Sequence, residues 1–151
     1  MRTLSLLGLF LATIGMVGLL LAHALFATGW LGLAVQVAAA FLMAWARFTF
    51  GRRSFHATAE PTAGGLVTSG PYRYVRHPIY AAILYFAWAG ALSHPGLLPL
   101  ALASAATVGL VLRMRAEETL LIERYPDYGS YAGRTWRVFP GQVLLRRRPE
   151  V

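Results

Sequence analysis

The sequence predicts an all-α integral membrane protein with four transmembrane helices and both termini in the cytoplasm. Two observations support this prediction. Of the 151 residues, 57% are hydrophobic and only 13% are charged, whereas roughly 25% are charged in a typical soluble domain. Four apolar segments also follow one another, and the connectors between them alternate between arginine-free and arginine-rich. We therefore expect a single membrane domain over residues 1–151.

The four predicted spans cover about residues 4–27, 30–50, 78–94 and 96–115. A transmembrane helix needs about 20 residues. The first segment meets this length, and the later ones meet it when their flanks are included, because arginine side chains can snorkel to the interface. A secretory signal is the alternative interpretation of the N-terminus. Its apolar run, however, is longer than the roughly 7–15 residues of such a signal.

Arginines set the predicted orientation. All fourteen Lys and Arg residues are arginine. They lie before span one, from the inner end of span two to the start of span three, or from the inner end of span four onward. Four spans with both termini inside therefore place every arginine on the cytoplasmic side, as the positive-inside rule requires. The expected partner of this charge is an anionic membrane lipid surface. No nucleic-acid partner is expected, because the sequence contains no nucleic-acid motif.

Small and polar residues within the first two spans predict how these helices pack. Gly8 and Ala12 stand four residues apart, as do Gly18 and Ala22, which favours close packing of span one on a neighbouring helix. Gln36 lies in span two, where a buried amide is expected to hydrogen-bond another helix.

Residues 51–77 form the predicted cytoplasmic segment before span three, either a binding loop or a slack linker. Pro78 suits the first turn of a helix, so His77 is expected at the helix boundary. Free N–H groups and the helix dipole favour an anion there, and Arg73 and Arg76 add positive charge. On spacing alone, a ligand and lipid head groups are equally good partners for this segment.

Span four is expected to continue beyond the membrane as one helix from Leu97 to Tyr125, about 43 Å long. Arg113 and Glu117 are four residues apart and can pair on one face, whereas Glu118 points about 100° away. A solvated, salt-bridged helix is the simplest interpretation. The topology, however, places these carboxylates at the depth of His77, where they can meet a cationic ligand.

The second half of the chain, about residues 66–140, resembles the isoprenylcysteine carboxyl methyltransferase family and the related phospholipid methyltransferases. The resemblance rests on the combined order and spacing of four motifs. These are Gly70-Pro71-Tyr72-x-Tyr74-x-Arg76-His77-Pro78-x-Tyr80, Arg113-x3-Glu117-Glu118-x2-Leu121, Tyr125-x2-Tyr128-x2-Tyr131 and Arg137-x2-Pro140.

The resemblance implies an enzyme that binds S-adenosylmethionine at the cytoplasmic face, between motifs at residues 66–80 and 113–140. The loop and a C-terminal helical cap are expected to form this site. Arg113 is implied to orient the methyl acceptor, and Glu117 is a candidate base when that acceptor is an amine. In-line methyl transfer needs no metal. The residues implied to bind the cofactor are Tyr74, Arg76, His77, Tyr80, Glu117 and Glu118.

The expected activity is methyl transfer to a lipophilic or membrane-embedded carboxylate, thiol or amine. The partner is then an amphiphilic small molecule or lipid. Arginine without lysine, beside abundant alanine, glycine and leucine, suggests a bacterial cytoplasmic membrane. Two alternatives remain open: an NADPH-dependent reductase of the membrane sterol-reductase type, and a non-catalytic membrane module that binds a partner or lipid.

Overall fold

A computed structural model describes residues 2–51 and 65–139, and within these ranges the chain is helical without a β-strand. This confirms the all-α prediction. The five described α-helices are α1 (Arg2–Leu21), α2 (Trp30–Phe50), α3 (Pro78–Ser93), α4 (Leu97–Arg124) and α5 (Tyr128–Arg134), with a 3-10 helix at Gly70–Arg73. Of these, α1, α2 and α4 are long and apolar enough to cross a membrane, whereas α3 is apolar but shorter.

Helix α1 ends at Leu21, six residues before the predicted end of the first span. The reason is a backbone reversal of the Schellman type. His23 adopts a positive φ of 52°. The N–H of Ala24 donates to the carbonyl of Leu19 at 2.9 Å, and the N–H of His23 donates to that of Leu20 at 3.0 Å. The apolar residues that follow therefore belong to the connector to α2.

Helix α4 runs without interruption from Leu97 to Arg124, which confirms the prediction of one long helix to within a residue. Helix α1 packs along it through glycines. A Cβ atom added to Gly8 would lie 2.5 Å from the carbonyl oxygen of Gly109, and one added to Gly18 would lie 2.5 Å from Leu102. The close packing predicted for span one is thus confirmed, with α4 as its neighbour.

Gln36 joins α2 to α3, as predicted for a buried amide. Its side chain is 4% exposed. The Nε2 group donates to the carbonyls of Leu25 at 2.7 Å and Phe86 at 3.1 Å, and Oε1 accepts from the N–H of Ala27 at 3.0 Å. These bonds connect α2 with α3 and with the α1–α2 connector, so Gln36 has a structural role.

A backbone pairing joins the segment before α3 to the segment after α5. Val75 and Trp136 form an isolated parallel bridge. The N–H of Arg76 donates to the carbonyl of Trp136 at 2.7 Å, and the N–H of Trp136 donates to the carbonyl of Tyr74 at 2.9 Å. This pairing sets the C-terminal segment beside the start of α3 and the later turns of α4.

Some sequence predictions lie outside the described residues. They concern about half of the predicted cytoplasmic segment, residues 52–64, and the C-terminal residues from 140 onward. The final residue of the fourth motif, Pro140, and the arginines at 146–148 belong to this group.

Candidate active site

The candidate site lies where the start of α3 meets the later turns of α4. Helix α3 begins at Pro78 with His77 as its N-cap residue, as the sequence predicted. Two neighbouring carboxylates of α4, Glu117 and Glu118, face this helix start. Each has its own set of partners, so the site has two halves.

Glu118 is the centre of the first half. Its Oε1 atom lies 3.1 Å from Arg76 Nε, 3.1 Å from His77 Nε2 and 3.1 Å from Arg137 Nε. Its Oε2 atom accepts a second hydrogen bond from the Arg137 guanidinium. A carboxylate has about four lone-pair positions, so these contacts use essentially all the acceptor capacity of Glu118. We call Glu118, Arg76, His77 and Arg137 the Glu118 cluster.

Arg76 extends this cluster to the end of α5. While its Nε atom contacts Glu118, its Nη1 atom donates to the carbonyl of Ala132 at 2.9 Å and to that of Thr135. Arg76 therefore satisfies carbonyls at a helix C-terminus as well as a buried carboxylate. One side chain holds α4, α5 and the start of α3 together.

Glu117 is the centre of the second half. The Tyr80 hydroxyl donates to Glu117 Oε1, and Arg113 Nε lies 2.7 Å from that hydroxyl and 3.2 Å from the same carboxylate oxygen. The predicted pairing of Arg113 with Glu117 is confirmed. We call Glu117, Tyr80 and Arg113 the Glu117 cluster.

His77 connects the two halves. Its Nε2 atom faces Glu118, and its Nδ1 atom lies 3.8 Å from Glu117 Oε2. The imidazole also stacks on the Tyr80 ring, with centroids 5.6 Å apart and planes 20° apart. His77 is 7% exposed, so these contacts hold both carboxylates in a fixed relation.

The two carboxylates differ in their capacity for a ligand. The Glu117 side chain is 20% exposed and that of Glu118 is 11% exposed. The strong contacts of Glu117 fall on Oε1, which leaves Oε2 with acceptor capacity beside His77. Across both clusters, three guanidinium groups face two carboxylates. The excess positive charge suits an anionic group, and Glu117 Oε2 suits a hydrogen-bond donor or a cation.

Six of the residues predicted to form the site come together here: Arg76, His77, Tyr80, Arg113, Glu117 and Glu118. The Tyr74 side chain is not placed in either cluster. It is 54% exposed, and Tyr74 contributes its backbone carbonyl to the pairing with Trp136. Its predicted role in cofactor binding stays a prediction.

Sequence reasoning assigned no role to Arg137, although the residue belongs to a quoted motif. Arg137 stands 19 residues after Glu118, a distance that no helical spacing explains. Its hydrogen bond to Glu118 raises its pKa above the ordinary arginine value, so it stays charged. Its place in the fourth motif was the one sequence signal that Arg137 could belong to the site. The choice of Glu118 as its partner depends on the backbone pairing, which brings Arg137 beside that carboxylate.

Tyr128 is a second residue that the sequence left without a role. It is 2% exposed, and its hydroxyl has no hydrogen-bond partner among the described residues. Burial raises the pKa of Tyr128 well above the ordinary tyrosine value, and the nearby Glu118 carboxylate raises it further. The phenol is therefore neutral and lies near the Glu118 cluster.

Comparison with known proteins supports the resemblance. The sequence model of the Isoprenylcysteine carboxyl methyltransferase (ICMT) family matches residues 30–123. This range extends from α2 almost to the end of α4 and includes both site carboxylates. Arg137 and Tyr128 follow it.

Two curated relatives match part of the chain. The cobalt-zinc-cadmium resistance protein CzcN of Cupriavidus metallidurans is 35% identical over 82 residues, which are 54% of this chain and 38% of that protein. The nickel-cobalt-cadmium resistance protein NccN of Alcaligenes xylosoxydans xylosoxydans matches with the same identity and coverage. The chain thus spans well under half the length of these relatives. No solved structure matches it.

Proposed function

The chain belongs to the isoprenylcysteine carboxyl methyltransferase family, and from this premise we propose that it transfers a methyl group from S-adenosylmethionine to a lipophilic or membrane-embedded acceptor. The observation that supports the proposal best is the meeting of Arg76, His77 and Tyr80 with Glu117 and Glu118 in one largely buried site. These side chains come from two motifs about 40 residues apart, with apolar helices between them.

The proposed membrane arrangement has four spans, both termini in the cytoplasm and the site at the cytoplasmic face of a bacterial membrane. Helices α1, α2 and α4 have the length for this. Helix α3 has 16 residues and is about 24 Å long, which is short of a hydrocarbon core of about 30 Å. We propose that the polar residues at its ends, His77 and His94, lie in the interfaces and complete the crossing.

The residues of the site fit S-adenosylmethionine by their chemistry. The cofactor has a carboxylate, an ammonium group, a sulfonium and ribose hydroxyls. Arg76 and Arg137 offer guanidinium groups for the carboxylate, and Glu117 offers Oε2 for the ammonium or a hydroxyl. Glu118 and His77 then orient these donors. When bound, the cofactor supplies an electrophilic methyl group on sulfur.

Arg113 and Glu117 are the proposed catalytic residues. Arg113 is 5% exposed and is held by the Tyr80 hydroxyl and Glu117, so its guanidinium is fixed for orienting an acceptor carboxylate. When the acceptor is an amine, Glu117 Oε2 takes its proton. The low exposure of both side chains keeps water from the reacting groups. The acceptor class decides which of the two roles dominates.

The direct test is calorimetric titration of the detergent-purified protein with S-adenosylmethionine and, separately, with NADPH. The unchanged protein is compared with His77→Ala and Glu118→Ala, and with Glu123→Ala as the control, because Glu123 is an exposed residue of the same helix. We expect S-adenosylmethionine to bind the unchanged protein and the control, and to bind neither site variant. Circular dichroism establishes that each variant is helical.

Other outcomes decide between the alternatives. Binding of NADPH alone would support a reductase. Binding of neither ligand would overturn the proposed cofactor and favour a non-catalytic membrane module. When S-adenosylmethionine binds, transfer of a labelled methyl group to a prenylated cysteine, an amine lipid and a hydrophobic thiol identifies the acceptor class.

A further inference from the structure

Two buried tyrosines on helix α5 differ in their hydrogen bonding. Tyr128 and Tyr131 are 2% and 5% exposed, and their ring centroids are 5.9 Å apart. The Tyr131 hydroxyl donates to the carbonyl of Tyr72 at 2.7 Å. The Tyr128 hydroxyl has no partner among the described residues. An unsatisfied buried polar group destabilises the folded state, and phenylalanine would pack in this place without that cost.

The surroundings of the Tyr128 hydroxyl indicate what it can bind. Glu118, Arg76 and Arg137 are all close enough to influence the pKa of Tyr128, and burial keeps the phenol protonated. It is therefore a hydrogen-bond donor. In this cluster two guanidinium groups and an imidazole surround one carboxylate. Since Glu118 offsets only one of the two guanidinium charges, the environment suits a second anionic group.

Arg137 marks the side from which such a group would approach. Its side chain is 37% exposed, whereas those of Arg76 and Glu118 are 11% exposed. The cluster therefore meets solvent at Arg137, which also lies close enough to Tyr128 to be influenced by it. A ligand carboxylate that binds Arg137 would therefore lie in the same surroundings as the Tyr128 hydroxyl.

We propose that the Tyr128 hydroxyl donates a hydrogen bond to the carboxylate of bound S-adenosylmethionine, beside Arg76 and Arg137. Tyr128 is then a cofactor-binding residue on the C-terminal cap. The inference rests on the proposed function, because it assigns a further contact in the same site. Tyr131, one helical turn away, has a structural hydrogen bond and serves as the matched control.

The test is calorimetric titration of Tyr128→Phe and Tyr131→Phe with S-adenosylmethionine and with its decarboxylated form, which lacks only the carboxylate. For Tyr128→Phe we expect a loss in affinity for S-adenosylmethionine of about tenfold or more, the scale of one hydrogen bond to a charged group. Its affinity for the decarboxylated form stays within about twofold, because the contact is missing in both proteins.

Thermal unfolding without ligand separates binding from folding. Tyr128→Phe removes an unsatisfied group, so its melting temperature is expected to equal or exceed that of the unchanged protein. Tyr131→Phe breaks the hydrogen bond to the Tyr72 carbonyl and leaves that buried acceptor unpaired. It therefore lowers the melting temperature and leaves the affinity within about twofold.

Two results would overturn the inference alone: unchanged affinity of Tyr128→Phe for S-adenosylmethionine, or an equal loss for both ligands. If the unchanged protein did not bind S-adenosylmethionine, the proposed function would be overturned as well. Titration of the unchanged protein therefore shows whether the Tyr128 contact alone is wrong or the proposed cofactor is also wrong.

Discussion

Glu117 and Glu118 are adjacent in sequence, yet their surroundings differ. Glu118 contacts Arg76, His77 and Arg137, and its side chain is 11% exposed. Glu117 contacts Tyr80 and Arg113, and its side chain is 20% exposed. The rotation of about 100° between successive helix residues turns the two carboxylates to different neighbours. One α-helix thus provides both a structural centre and a group with capacity for a ligand.

This difference indicates a structural role for Glu118 and a chemical role for Glu117. Glu118 has used its acceptor capacity on side chains from two distant segments, so its loss affects the arrangement of the site. Glu117 has contacts on one oxygen and keeps the other available, so its loss affects chemistry more than architecture. The following predictions test this division, starting with the largest expected effect.

Glu118→Gln is expected to have the largest effect. The variant leaves Arg76 and Arg137 without a counter-charge and weakens the contact with His77. Breaking a buried ion pair from one side costs about 3–5 kcal/mol. We expect a clear fall in the melting temperature in detergent and loss of S-adenosylmethionine binding by calorimetry. Glu123→Gln, an exposed change on the same helix, is the control. A Glu118→Gln melting temperature equal to that of the unchanged protein would contradict the structural role of Glu118.

Glu117→Gln is expected to reduce methyl transfer more than stability. It removes the charge that holds Arg113 and the proposed base for an amine acceptor, and losing a general base costs about a hundredfold or more in rate. Initial rates at saturating cofactor measure this effect. The fall in melting temperature should be smaller than for Glu118→Gln. If Glu117→Gln lowered the melting temperature as much as Glu118→Gln and changed the rate little, the proposed chemical role of Glu117 would be contradicted.

Tyr80→Phe tests the contact between Arg113 and Glu117. The ring that stacks on His77 remains, while the hydroxyl between the two charged groups is lost. We expect about a tenfold fall in kcat/KM, equal to about 1.4 kcal/mol. Tyr85→Phe is the matched control, since it loses a hydroxyl bond to the carbonyl of Val138 outside both clusters. A similar fall in both variants would indicate a general packing effect.

Tyr74→Ala is expected to have the smallest effect. Its side chain is 54% exposed, and its backbone carbonyl, which pairs with Trp136, is retained in the variant. As an exposed member of the cofactor site that the family resemblance implies, Tyr74 should contribute little, so affinity for S-adenosylmethionine should fall by about threefold, or about 0.7 kcal/mol. An unchanged affinity would contradict its predicted role in cofactor binding.

Much of the fold could be predicted from local patterns. Continuous apolar character identified the α2 and α4 helices, and Pro78 marked the start of α3. The end of α1 could not be predicted in this way. The apolar run continues past Leu21, but His23 takes a positive φ and reverses the backbone. Composition does not distinguish an apolar connector from an apolar helix.

The site was predictable to the extent that motifs and helical spacing describe it. Arg113 and Glu117 pair because residues four positions apart lie about one helical turn apart. This spacing can be read directly from the sequence. The contact of Arg137 with Glu118 depends instead on backbone pairing between residues 74–77 and residues 136–137. Two short segments without regular structure have no periodicity, so nothing local indicates that they meet.

By itself, the sequence determined the helical class, the apolar segments and the residues from which a site could be built. Tertiary structure decided how those residues are divided. It gave Glu118 two guanidinium groups and an imidazole as neighbours, left Glu117 Oε2 with spare capacity and kept Tyr74 exposed. The physical reason is that helix formation depends on near neighbours along the chain. The burial and pairing of a charge depend on groups that only folding brings together.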